Sequence, residues 1–159
     1  MSTTQDELFY SDLEREDDVG LVLRGQLHIE HQLMAIANAV LPFADRCKWG
    51  KFAYRSKVEL AYACGLPQDV RCVLLKLGNL RNEFAHDLNA TISKQRALDL
   101  YNCQSERLRI VLQDTYKLMT GKPVFSLKSI EPRDLVTIIF LTMHSATKAA
   151  AATLEGNAS

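Results

Sequence analysis

Arginine, asparagine and histidine stand close together at Arg81, Asn82 and His86, inside the hexapeptide RNEFAH. Arginine stays charged and grips two phosphate oxygens at once, whereas imidazole changes charge near neutral pH and serves as acid or base. Asn82 adds a neutral donor and acceptor beside them. These are the properties needed to break an RNA phosphodiester without a metal. One group deprotonates the 2′-hydroxyl, another protonates the leaving 5′-oxygen, and a cation holds the phosphate as charge builds. Helix geometry sets a condition on this chemistry. Five residues along an ideal helix turn through about 500°, so Arg81 and His86 start about 140° apart, while Asn82 and His86 share a face. Cation and imidazole converge if the helix frays at Ala85, or if a twofold dimer brings two arginines and two histidines into one cleft. A plainer reading uses the same residues for architecture. Phe84 and Ala85 enter the core, Arg81 pairs with an acid such as Glu30, and His86 bonds the free carbonyls of a helix end.

Two further groups could extend contact with RNA. Arg24, His28 and His31 recur at i, i+4 and i+7, along one helical stripe, with Glu30 on a different face. They read as an extension of the site or as a solvated polar stripe, ahead of a metal pair. Between Arg46 and Lys57, basic residues alternate with rings, and Lys48, Trp49, Lys51 and Arg55 offer phosphate charge and base stacking together. An amphipathic helix with a charged outer face gives the same pattern. Cys47, Cys64, Cys72 and Cys103 fit neither metal spacing nor a disulfide framework, so reduced, mostly buried thiols are expected, with no metal and no cofactor.

The elements that must position these residues are helical. Apolar residues from Val19 to Leu41 recur at steps of three and four and stop at Pro42. A polar, basic loop follows, then a helix from about Phe52 to Cys64 that Gly65 ends. The third helix, Gln68 to about Ala85, buries Val70, Val73, Leu74, Leu77, Leu80 and Phe84 and carries RNEFAH in its last turn. Gly78 inside it points to a close helix crossing or a bend. Ser93 caps a fourth helix running to Met119, where Gly121 and Pro123 end it. A short extended piece has room between Val124 and Ile130, and Glu131-Pro132 opens a last helix through about Leu154. The expected fold is therefore all-α: one domain, a bundle of about five helices, mostly antiparallel.

Composition agrees with one domain. The chain has 159 residues, 47% of them apolar, and only 7 Gly and 4 Pro, with no linker, repeat or low-complexity stretch. Its net charge of zero hides an asymmetry. Residues 1–18 hold seven acids against Arg15 alone, a balance of −6, which leaves +6 for the bundle at 19–155. An acidic leader before a basic body suits a polyanion binder, although such leaders also serve as solubilising tails. There is no basic start followed by an apolar run, and no stretch nears the ~18 uninterrupted apolar residues of a membrane span. A cytoplasmic protein without membrane contact is expected.

RNEFAH matches the R-x4-H form of the HEPN superfamily, and the surrounding bundle pattern resembles that family too. The resemblance implies a metal-independent endoribonuclease in which Arg81 binds phosphate, Asn82 positions it and His86 is general acid or base. It also implies a homodimer with the site at the seam. Toxin–antitoxin modules and phage defence are the usual settings, often with an antitoxin holding the enzyme inactive. The stretch LVLRGQLHIEHQL, followed by LGNLRNEFAHDLN, is also similar to the mannitol operon repressor-like branch of small helical proteins. That likeness implies an alternative: a non-catalytic transcriptional regulator or partner-binding module. A helix-turn-helix with a basic recognition helix does not stand out.

Overall fold

Seven α-helices and no strand make up the described part of the chain: α1 (Ser2–Glu14), α2 (Asp18–Val40), α3 (Tyr54–Cys64), α4 (Gln68–Ala85), α5 (Lys94–Asn102), α6 (Glu106–Thr120) and α7 (Pro132–Ala158). The structure, a computed structural model, describes residues 2–158, with side chains from residue 7 onward; the Asp6 side chain of the acidic leader lies outside the described residues. Two short 3-10 turns, Ala44–Arg46 and Trp49–Lys51, occupy the basic loop between α2 and α3.

The bundle is organised around α7. Every residue from Leu135 to His144 is buried, and a helix that is apolar on all sides must be surrounded by other elements. α2 lies against it most extensively, and α1, α4, α5 and α6 also pack on it. The crossing with α2 is close: a Cβ on Gly25 would come within 2.6 Å of the Phe140 ring. By length and composition α7 could also cross a membrane, but 67% of its most apolar window is buried inside the bundle.

α4 has the bounds its apolar period predicts, and Gly78 marks a close crossing. A Cβ there would meet the Tyr54 ring of α3 at 2.6 Å, and the Tyr54 hydroxyl donates to the Leu74 carbonyl at 2.9 Å. Gly65, at φ 123°, ends α3 in a conformation that favours glycine. The ion pair of Arg71 with Glu59, at 2.7 Å, ties the two helices together.

The count of about five helices is corrected to seven for two physical reasons. First, the expected fourth helix is two. Ser105 starts α6 by accepting from the Leu108 N–H at 3.2 Å, and its own hydroxyl donates to Asp69 Oδ2 at 2.7 Å. Arg107 grips the same Asp69 carboxylate through two nitrogens, at 2.7 and 3.0 Å. The start of α6 is thus pinned to the start of α4, which fixes the break after α5. Second, the acidic leader is a helix of the bundle. Phe9 and Leu13 of α1 are buried in the core. Its acids take structural partners as well: Glu16 pairs with Arg24 at 2.8 Å, and Asp18 accepts from the Ile92 N–H and from Arg133.

Two smaller expectations are also corrected. The segment Val124 to Ile130 is a turn, in which the Ser129 and Ile130 N–H groups both donate to the Ser126 carbonyl. The four thiols are free but not mostly buried, since Cys72 is exposed and the other three are only half-buried. Cys72 falls on the outer side of α4, a position its apolar chemistry does not reveal.

Candidate functional site

α4 turns one side toward a cleft of about 450 Å³ between α2, α3 and α4. Leu75, Gly78, Asn79 and Asn82 form its α4 wall, Gln26 and Glu30 its α2 wall, and Phe52 to Arg55 the side given by the start of α3. Arg81 stands at its edge. At about 100° per residue, His86 lies some 40° from Asn82 around the axis and one turn further along, beyond the residues that line the cleft. His86 is the C-terminal cap of α4, at φ −102° and ψ −6°, and its N–H reaches the Glu83 carbonyl at 3.4 Å. The backbone therefore stays helical through Ala85. Fraying, the first of the two routes by which Arg81 and His86 could meet, is not taken.

The Arg81 side chain narrows the gap. Its Nη1 lies 3.5 Å from Asn82 Oδ1, at the long limit of a hydrogen bond, so the guanidinium leans toward the face that Asn82 and His86 share. All three side chains are exposed. The acid within the hexapeptide, Glu83, is engaged elsewhere: Arg96 pairs with it at 3.1 Å and lies over the Phe84 ring. Glu30 is engaged too. It takes Lys57 at 2.8 Å and the Gln26 amide at 3.2 Å, so the Arg81–Glu30 pair of the plainer, architectural reading is not formed. Among the described residues no ion pair includes Arg81 or Arg55. Two arginines outside any ion pair thus share one cleft with Glu30, although Arg55 also acts on the Glu59 carboxylate through its charge. Tyr54 also lines the cleft. It is half-buried, and desolvation, helped by the Glu30 charge, pushes the pKa of its phenol above the ordinary value.

The basic and aromatic stretch reaches the cleft in part. Arg55 and Phe52 line it. Trp49 is half-buried and packs against Phe52 with ring centroids 5.8 Å apart, so it supports the ring at the cleft. Lys48 and Lys51 are exposed on the turn leading in, where they add positive charge without lining the walls.

Arg24, His28 and His31 do not join this site, which corrects the expectation that they extend it. Residue 28 lies about 200° around α2 from residues 26 and 30, on the far side of the helix. His28 and His31 line a different cleft, with Leu8, Asp12 and His144. The His28 ring packs on Phe9 at 4.3 Å, and Arg24 is held by Glu16. Burial pushes the His28 pKa below the ordinary imidazole value; Asp12 opposes this, while His31 and Arg24 add to it. No group of three or more His, Cys, Asp or Glu side chains that could hold a metal ion occurs among the described residues.

Compared with known protein families, curated proteins and solved structures, this chain matches none. The cleft also contains a residue outside every motif of the sequence. Gln26 is only 2% exposed and sits among Val22, Ile29 and Leu33 on the buried face of α2. A polar side chain interrupting an apolar period was the available signal.

Proposed function

We propose that this protein is a metal-independent endoribonuclease of HEPN type, working as a homodimer in a toxin–antitoxin or phage-defence setting. The observation that carries the reading is the exposure of the motif: Arg81 and Asn82 line the cleft, His86 is exposed one turn beyond them at the end of α4, and none of the three is consumed by an internal ion pair. In a protein that used RNEFAH for architecture, an Arg81 salt bridge or a buried imidazole would be expected, and neither is present among the described residues.

The roles follow from the chemistry of each group. Arg81, aided by Arg55, holds the non-bridging oxygens of the scissile phosphate, and Asn82 orients it. An imidazole takes the proton of the 2′-hydroxyl as the 2′-oxygen bonds to phosphorus. The bond from phosphorus to the 5′-oxygen breaks, and that oxygen leaves with a proton from an imidazolium. Two His86 side chains, one from each protomer, supply base and acid across the seam. The products are a 2′,3′-cyclic phosphate and a free 5′-hydroxyl.

The purified chain, freed of any partner protein, is expected to cut RNA in the presence of EDTA and leave those two ends. End-group analysis of the fragments checks this. An absence of cleavage across RNAs of varied sequence and structure overturns the enzyme reading in favour of a regulatory or partner-binding bundle.

A further inference from the structure

The buried wall of the same cleft bears on which nucleotide enters it. Gln26 Nε2 donates to Glu30 Oε1 at 3.2 Å. A carboxylate only accepts, so this contact fixes the amide orientation and leaves Gln26 Oε1 as an acceptor pointing elsewhere. That oxygen is buried and has no hydrogen-bond partner. An unmatched buried acceptor is unfavourable and needs an explanation, and here it belongs to a residue that lines a cleft. Phe52, 42% exposed, lines the same cleft, as do Arg55 and Arg81. A stacking ring, two phosphate-binding cations and an acceptor lacking a donor are the complementary surface of one nucleotide.

We infer that this cleft selects a nucleotide whose base carries an exocyclic amine, with the amine donating to Gln26 Oε1, the base against Phe52 and the phosphate at Arg55 and Arg81. Adenine, cytosine and guanine carry such an amine. Uracil has none, and the oxygen it holds at the corresponding place would face Gln26 Oε1 as a second acceptor. Because Oε1 lies below the surface, its donor must insert into the wall, as a group at a base edge does and a ribose hydroxyl does not. The inference takes the RNA reading for the class of ligand, but the choice of base rests on Gln26 and does not require cleavage.

Uncleavable 2′-O-methyl oligonucleotides separate binding from catalysis. Oligo(C) and oligo(U) are matched in size and differ where the amine stands. Fluorescence anisotropy is expected to show oligo(C) binding about tenfold more tightly than oligo(U), the worth of one hydrogen bond. Gln26→Met should erase that difference. Oligomers of N4,N4-dimethylcytidine, which lack both amine hydrogens, should bind wild-type protein no better than oligo(U), and this arm stands even where the Met variant fails to fold. Equal binding of oligo(C) and oligo(U), binding of neither, or a preference that survives dimethylation overturns the inference. A preference for oligo(C) in a protein that cuts no RNA supports the pocket while removing the nuclease.

Discussion

His28 shows how a single side chain is claimed by its surroundings. Its sequence spacing with Arg24 and His31 made it a candidate RNA contact, but its ring is covered by Phe9 of α1 and its pKa is lowered by that burial. A histidine kept neutral by the fold contributes fully above the ordinary imidazole value of 6.5. As pH falls below that value the unfolded chain takes up the proton more readily, so stability is lost. The thermal midpoint is therefore expected to drop as pH is lowered from about 7.5 toward 5, where imidazoles titrate. His28→Leu should reduce that drop, and an unchanged pH dependence in the variant would contradict the assignment. Arg81, Asn82 and His86 stand out as candidates in the sequence by their chemistry, and the structure leaves all three exposed. Gln26 does not stand out, because one polar residue on an apolar face is a weak signal until the cleft beside it is known. The partners of Glu30 were equally hidden, since Lys57 and Gln26 meet it only through tertiary packing.

Among the elements, α4 was the most legible and the α5–α6 pair the least. The period of α4 is unbroken and its ends carry clear signals, so its bounds could be read directly. Between α5 and α6 the apolar period runs on through Leu108 and Leu112, and only the cap at Ser105 marks the break. That cap gains its force from Asp69, thirty-six positions earlier in the chain, a link that no local window contains. Burial pushes the Asp69 pKa up, but hydrogen bonds from Arg107 and Ser105 outweigh it and hold the carboxyl below its ordinary value. Ser105→Ala removes the cap of α6 and one partner of that carboxylate. It should lower stability by about 1–2 kcal/mol in chemical denaturation. A loss comparable to that of an exposed surface substitution would show that the break is held by other contacts.

For the whole molecule, the α class and the presence of one bundle were legible, but the place of the leader was not. Its charge suggested a tail, whereas Phe9 and Leu13 make α1 part of the core; two apolar residues in an acidic stretch carry little weight in a composition. The proposed dimer acts at the same scale. Within one chain, Arg81 and His86 lie on opposite sides of Asn82 around α4, so a seam that brings two copies of the stripe together is the remaining way to place a second imidazole near the phosphate. Titrating His86→Ala subunits into wild-type protein tests whether the site is shared. A site that needs the imidazoles of both copies should be lost in mixed dimers, so the rate falls more steeply than the fraction of wild-type subunits, and a rate that falls in simple proportion to that fraction would place a complete site in each chain. The central claim, that the imidazole at the end of α4 performs proton transfer, is met most directly by the rate of RNA cleavage in EDTA for His86→Ala against wild type, with thermal melting on the same samples. The side chain is exposed and its imidazole has no hydrogen-bond partner among the described residues, so melting should stay within about 0.5 kcal/mol of wild type while cleavage falls by a factor of about 100 or more. Cleavage by wild type that persists in the variant, or a variant that loses its fold along with its activity, would contradict the account.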